Sequence, residues 1–258
     1  MATPLFLKRT LLAVFLLVPI VNFGVFLLPG GDRQFANMVS TRVDAAGYAF
    51  SIWGIIFAMM IAFSILVQRL TESSKSLTAA TAALIIAGIA SIFFVPISLY
   101  ASQTIGWLDI VLHLVALIAA LVFLRRHCHA VSVVNGRWSF VGPSMYCGWI
   151  SAATLISTAL MLQENGVDVS DQIATGIAIG ALALITTIAS LMTWSRDPVY
   201  GGTIAWALIA IGVQQSAFPL IRWTAWLGAA ALTVFIITFM ILNRSFYAAA
   251  DALRLPKK

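Results

Sequence analysis

The sequence places few polar side chains where they could do chemistry, and the best-spaced pair is Asp109 and His113. Residues four apart on a helix share a face, so the two side chains can hydrogen-bond to each other. Ionisable groups are costly inside a membrane and often mark a pathway, so the pair could relay a proton. The interpretation that we favour is a structural pair at a helix start, where the helix dipole stabilises the charge of Asp109.

A second set of candidate ligands is the run of His127, Cys128 and His129, which follows two arginines. Consecutive residues on a helix point in different directions, and no second Cys/His group accompanies them, so we predict no metal site. The sequence also lacks a Ser-His-Asp set, a HExxH motif, a P-loop and a GxGxxG turn. We therefore predict no catalytic residue and no enzymatic activity.

The elements that must hold these residues are membrane helices. Of the 258 residues, 61% are hydrophobic and 9% are charged, and the mean hydropathy is +1.00. Soluble domains are about 45–50% apolar and about 25% charged, and a membrane-spanning helix needs about 20 apolar residues. The sequence predicts an all-α, polytopic membrane helix bundle. Its eight predicted transmembrane helices cover residues 10–28, 47–68, 77–100, 106–124, 139–162, 173–194, 200–218 and 224–242.

The basic residues predict the orientation of this bundle. Of the 15 Lys and Arg residues, all but Arg33, Arg42 and Arg222 fall on one side of the predicted spans. Cytoplasmic loops of membrane proteins are enriched in Lys and Arg, so we predict cytoplasmic N- and C-termini. We therefore attribute the net charge of +6 to basic cytoplasmic loops rather than to nucleic-acid binding, and we predict no nucleic-acid partner.

Small residues at every fourth position predict faces on which helices pack closely in lipid. These faces are Gly54, Ala58 and Ala62, then Ala79, Ala83, Ala87 and Ser91, then Gly176 and Gly180. We favour packing within the chain over homodimerisation, although the pattern itself does not separate the two.

Three short motifs carry a family resemblance. Residues 46–54 (AGYAFSIWG), 106–110 (GWLDI) and 146–151 (YCGWIS) resemble, in the same order, segments of the TspO/MBR family, the tryptophan-rich sensory or translocator proteins. The similarity covers residues 1–162, a five-helix core with a long first loop, and residues 163–258 add three helices and a basic tail, as in longer bacterial relatives.

This chain departs from the family pattern at several positions. Ala46 stands where a proline is usual, Phe93 where a tryptophan is usual, and Ala90 and Ser157 where asparagines are usual. Two amides that would be polar contacts are therefore missing. We expect any pocket to be more apolar than the usual one of the family.

The resemblance implies a ligand-binding or regulatory protein of the bacterial inner membrane, with a cavity enclosed by the first, second and fifth spans and the first loop. It implies tetrapyrroles such as porphyrin or haem, or sterol-like molecules, as ligands, and no required cofactor. Arg33 or Arg42 could pair with propionates by bidentate contact, although exposure to solvent at the surface also explains both arginines, and we favour that explanation. The expected ligand-binding residues are Tyr48, Phe50, Trp53, Phe93, Asp109, Tyr146 and Trp149.

Two alternative functions stay open at this point. A small-molecule transporter would line a path with Asp109, His113, Gln214 and Gln215. An accessory subunit would pack against a partner in a larger membrane complex through its alanine and glycine stripes.

Overall fold

The computed structural model describes residues 3–27, 40–70, 74–130 and 141–242, without the side chains of residues 26 and 128–130. This part of the chain contains eight α-helices, two short 3-10 helices (Val25–Leu27 and Gly47–Ser51) and no β-strand. The helices are α1 (Leu5–Gly24), α2 (Ile52–Arg69), α3 (Lys75–Tyr100), α4 (Gln103–Ala130), α5 (Val141–Glu164), α6 (Asp171–Trp194), α7 (Pro198–Gln214) and α8 (Pro219–Leu242). The predicted all-α bundle of eight helices is confirmed.

Seven of these described helices are long and apolar enough to cross a membrane, and α7 is a shorter apolar helix of 17 residues. At 1.5 Å per residue, α7 is about 26 Å long, close to the thickness of a hydrocarbon core. The protein is therefore a multi-pass membrane protein in contact with the lipid bilayer.

Several predicted helix ends were wrong. Helix α1 begins at Leu5, before the expected residue 10, and α4 runs to Ala130 instead of 124, so Arg125 and Arg126 are helical. Apolar windows mark only the hydrocarbon core, whereas a helix continues into the polar interface. Helix α7 ends at Gln214 instead of 218, because Pro219 begins the next helix and disfavours helical geometry at the residue before it.

The helices pack mainly as antiparallel neighbours. Helix α1 contacts α2 and α3, α4 packs between α3 and α5, and α5 also packs against α2 and α7. Helix α6 contacts α7 and α8 but has few contacts with α5, although the two are consecutive. The last three helices therefore join the first five mainly through α5 and α7.

Polar links fix which helix ends lie together. At one end, Lys8 Nζ donates to the Leu70 carbonyl at 2.7 Å. At the other end, the Glu164 carboxylate accepts from the backbone N–H groups of Gln103 and Thr104, both at 2.8 Å. Helices α1 and α2 therefore run in opposite directions, as do α4 and α5.

This alternation separates the basic residues of the described chain. Seven of them share one end: Lys8, Arg9, Arg69, Lys75, Arg125, Arg126 and Arg196. The opposite end carries Arg42 and Arg222. The uneven distribution expected from the sequence is therefore present in the folded bundle, whereas Arg33, Arg137 and the basic tail lie outside the described residues.

The small-residue stripe of α3 packs as predicted. Ala83, Ala87 and Ser91 are buried. Next to them, a side chain at Gly88 would collide with Val14 of α1. The stripe therefore lets α1 approach the backbone of α3.

The other two stripes do not pack within the described chain. Gly54, Ala58 and Ala62 are exposed, as are Gly176 and Gly180. A Cβ built on Gly54, Gly176 or Gly180 would have no described neighbour within 4 Å. The prediction of packing faces there was wrong for contacts inside the bundle, because small residues permit close approach but the larger apolar side chains decide which face turns inward.

Helices α5 and α7 approach each other closely at Gly148 of α5. A Cβ at this position would lie 3.0 Å from Thr203 Cβ and 3.2 Å from the Tyr200 carbonyl oxygen of α7. A larger residue would push the two helices apart.

We expect Gly148→Val to lower the stability of the bundle by about 1–3 kcal/mol, the usual cost of overpacking. Gly176→Val is the matched control, because nothing described lies within 4 Å of its Cβ. Thermal unfolding of both variants in detergent measures the effect. Equal melting temperatures for the two would contradict the close contact between α5 and α7.

Candidate functional site

Aromatic rings meet where α1, α2 and α5 come together, and Trp53 lies at the centre of this group. Its ring stacks on Phe57 with a centroid distance of 5.1 Å. Tyr146 contacts Trp53 edge to face at 5.8 Å, and Trp149 does so at 6.3 Å. We call these four residues, together with Phe50, the aromatic cluster.

The aromatic cluster extends from the core to the protein surface. Phe50, in the 3-10 helix that precedes α2, contacts Trp149 edge to face at 5.8 Å. Phe50 is 39% exposed, whereas Trp149 is 3% exposed and Tyr146 is fully buried. Nearby, the largely exposed Tyr48 contacts Trp206 of α7 at 5.5 Å. The outer rings therefore offer surface to a ligand, and the inner rings are already covered by protein.

A buried polar pair lies behind the aromatic cluster. His113 Nε2 and the Tyr146 hydroxyl are 2.5 Å apart, and both side chains are fully buried. Phe15 of α1 contacts the edge of the same tyrosine ring at 6.1 Å. Tyr146 therefore connects α1, α2 and α4 to α5.

The hydrogen bond predicted between Asp109 and His113 is not made. Asp109 Oδ2 and His113 Nδ1 are both buried, and neither has a hydrogen-bond partner among the described residues. The spacing does put both side chains on one helix, but the imidazole is turned towards Tyr146. The prediction was wrong because it considered a single helix and not the neighbouring α5.

Most of the expected ligand-binding residues lie in or beside the aromatic cluster. Phe50, Trp53, Tyr146 and Trp149 belong to it, Tyr48 lies two residues before Phe50 and contacts Trp206, and Asp109 lies one turn from His113. Phe93 is not brought to this site, since it is 54% exposed on α3. Ser91 faces the core, and two residues further along a helix turn the side chain by about 200°.

Sequence reasoning missed Asn22 of α1, which is buried in the bundle. Its amide nitrogen donates to the carbonyl oxygens of Val18 and Ser91, each at 2.9 Å, and so joins α1 to α3. An amide in an otherwise apolar span was a signal that could have identified this residue. Phe15 and Phe57 carried no such signal, because phenylalanine is common throughout the chain.

The described end of the first long loop is fastened to the last helices. Gln215, just after α7, donates from Nε2 to the carbonyl oxygens of Thr41 and Asp44 at 3.0 and 3.2 Å. Gln215 is buried, so these bonds are shielded from solvent. This glutamine, a candidate for a transport path, holds the loop backbone in place.

Two further hydrogen bonds fasten the chain just before the aromatic cluster. The backbone N–H of Ala46 donates to the carbonyl of Ala210 at 3.0 Å. The Trp206 indole donates to the carbonyl of Ala49 at 3.1 Å. Helix α7 therefore positions the 3-10 helix that carries Tyr48 and Phe50.

Arg42, an expected propionate partner, already has two contacts. It forms an ion pair with Asp171 at the start of α6, and its guanidinium lies 3.5 Å from the ring centroid of Phe218. Arg33, the other candidate, lies outside the described residues.

His127, from the histidine and cysteine run, has a structural contact. Its Nδ1 lies 2.7 Å from Ser74 Oγ, and the same hydroxyl caps the start of α3. The side chains of Cys128 and His129 lie outside the described residues. No group of three side chains with metal-ligand chemistry occurs in the part of the chain that the structure describes.

A flat macrocycle does not fit between the inner rings of the aromatic cluster in this conformation. Trp53 contacts Phe57, Tyr146 and Trp149, and the last two have almost no exposed surface. A tetrapyrrole could only stack on the outer edge, where Phe50 is exposed, unless the inner rings turn.

Comparison with known proteins gives one family. Residues 8–238 match the profile of a family described as TSPO-like protein. Comparisons with curated proteins and with solved structures find no match. The match runs through the expected five-helix core and continues across the added helices, and the division at residue 162 stays a prediction.

We expect Tyr146→Phe to lower the free energy of unfolding by about 1–2 kcal/mol, because it leaves the buried His113 without its hydrogen-bond partner. Tyr48→Phe removes an exposed hydroxyl and should change stability by less than about 0.5 kcal/mol. Thermal unfolding of the two variants in the same detergent measures the difference. Equal stability would show that the His113 contact contributes nothing.

Proposed function

The chain belongs to the TSPO-like family, and from that premise we propose that it is a ligand-binding, regulatory membrane protein that takes a flat apolar molecule at the aromatic cluster. The ligand class that we propose is a tetrapyrrole or a similarly flat, sterol-like compound. The ligand is bound without being chemically converted.

One observation carries this proposal: an unbroken series of ring contacts leads from the exposed Phe50 through Trp149 and Trp53 to the buried Tyr146. Aromatic rings in edge or offset contact gain about 0.5–1.5 kcal/mol per pair beyond the burial of their surface. A flat ligand that stacks on Phe50 adds one more ring to this series. Ligand sites are mostly apolar with few polar groups, as this one is.

The polar groups nearest the rings support binding rather than catalysis. The His113 imidazole and the Tyr146 hydroxyl contact each other and are fully buried. Neither group faces the exposed edge of the aromatic cluster, where we place the ligand. Their contact is explained by the need to pair polar groups inside a membrane protein.

We place the protein in the bacterial inner membrane with cytoplasmic termini. The uneven distribution of Lys and Arg between the two ends of the bundle supports this orientation. A cysteine introduced at the exposed Val167, in an otherwise cysteine-free chain, should react with an impermeant maleimide added outside spheroplasts. Labelling only after permeabilisation would indicate the opposite orientation and contradict the proposed one.

Titration with protoporphyrin tests the binding proposal. We expect saturable quenching of tryptophan fluorescence, and an affinity about two- to tenfold weaker in Phe50→Leu, which loses one ring contact. Trp149→Leu should weaken binding at least as much. Trp194→Leu is the control: this exposed tryptophan stacks on Phe235, away from the aromatic cluster, so its loss should leave the affinity unchanged.

Circular dichroism of each variant verifies the fold before titration. Porphyrin uptake that rises linearly and is the same in all four proteins would be simple partitioning into detergent. That result would overturn the proposal and favour the alternative of an accessory subunit, which co-purification with a stoichiometric partner would then test.

A further inference from the structure

A separate cleft lies between the first five helices and the last three. It has a volume of about 370 Å³ and is bounded by α4, α5, α6 and the start of α7. The cleft exists because α6 packs against α7 and α8 and has few contacts with α5. Tyr200 and Ser151, hydrogen-bonded to each other at 2.8 Å, lie in its buried floor.

The cleft opens sideways, towards the bilayer. Its walls include Ile118 and Val122 of α4 and Leu184 of α6, and all three are exposed. Apolar surface exposed on a membrane-spanning helix faces lipid chains. The side chains that line an empty groove would lack dispersion contacts. A lipid chain that fills the groove supplies these contacts, so its binding is favourable.

The length of the cleft along α4 suits one extended acyl chain. Along α4 it runs from Leu114 to Arg125, a span of about 16 Å at 1.5 Å per residue. The lining on α4 is apolar up to Arg125, which closes one end. A long apolar slot that ends at a cation suits a hydrocarbon chain with an anionic head.

Arg125 has capacity for such a head group. Its side chain is 33% exposed, and Nη2 lies 3.3 Å from Asp197 Oδ2 and 3.9 Å from Met192 Sδ. A guanidinium carries five N–H donors, and the contacts of Arg125 with described residues use only Nη2.

The negative charge of Asp197 disfavours the binding of an anion at this end, but hydrogen bonds from other donors already stabilise that charge. Its carboxylate accepts from Ser144 Oγ at 2.7 Å and from the backbone N–H of Tyr200 at 3.1 Å. The neighbouring Arg126 and Arg196 lie at the same end of the bundle. Among the described residues, the end of the bundle at which the cleft reaches Arg125 is therefore more basic than acidic.

We infer that this cleft binds an anionic phospholipid from the bilayer, with one acyl chain along α4 and the phosphate at Arg125. Basic pockets between transmembrane helices bind anionic lipid head groups in this way. The site is distinct from the aromatic cluster, and its occupancy does not depend on the proposed porphyrin binding.

Native mass spectrometry of the full-length protein, titrated with phosphatidylglycerol or phosphatidylcholine, tests this inference. We expect phosphatidylglycerol to bind about fivefold more tightly, the effect of one basic side chain near a lipid head group. Arg125→Gln should remove this preference. Arg126→Gln is the matched control, since Arg126 lies over the Phe123 ring and does not line the cleft.

A second pair of variants tests the position of the chain without touching the Arg125–Asp197 ion pair. Val122→Trp places a large ring in the wall of the cleft and should lower the affinity for both lipids. Val234→Trp adds the same ring to an exposed position of α8 and should have no effect. Glycerol phosphate, which has no acyl chains, should not bind.

Three results would overturn the inference. These are equal affinity for the two phospholipids, an Arg125→Gln variant that keeps the preference, and a Val122→Trp variant that binds both lipids as the wild type does. Porphyrin binding, measured in the same variants, should be unchanged, so a failure of this site is distinguishable from a failure at the aromatic cluster.

Discussion

Tyr146 is the residue on which the arrangement of the candidate site depends. Its hydroxyl contacts His113 of α4, and its ring contacts Phe15 of α1 and Trp53 of α2. One buried side chain of α5 therefore joins four helices. In a bilayer no hydrophobic force drives helices together, so ring packing and a hydrogen bond of this kind decide how they associate. The aromatic cluster has its geometry because Tyr146 holds these helices in place.

The last three helices also help to position the candidate site. Gln215 and Trp206 hold the backbone of residues 41–49 in place, and this segment carries Tyr48 and leads directly to Phe50 of the aromatic cluster. The added helices therefore have a structural role that their apolar sequences did not reveal. Because helix α6 has few contacts with α5, a cleft next to Arg125 is left between them. Both features arise at the contact between the first five helices and the last three.

The eight helices could be predicted well from the sequence, because an apolar run of about 20 residues is long enough to span a bilayer and too long for most strands. The motifs around Trp53 and Trp149 also contain four of the five rings of the aromatic cluster, but they did not indicate Phe57. The failures concern relations between helices: Asp109 does not hydrogen-bond to His113, Phe93 faces outward, and Gly54 lies on an exposed face. Spacing along one helix shows which residues share a face, but the neighbouring helices determine where that face points.

A flat ligand bound at the aromatic cluster must change the surroundings of the tryptophans there and not those of exposed tryptophans elsewhere. Fluorine NMR of protein labelled with 5-fluorotryptophan, each resonance assigned by single replacement, measures this directly during addition of protoporphyrin. We expect shifts for Trp53 and Trp149, whereas Trp194 and Trp223, both exposed, keep their positions. Shifts of Trp194 and Trp223 alone, or equal shifts of all resonances, would contradict binding at the aromatic cluster.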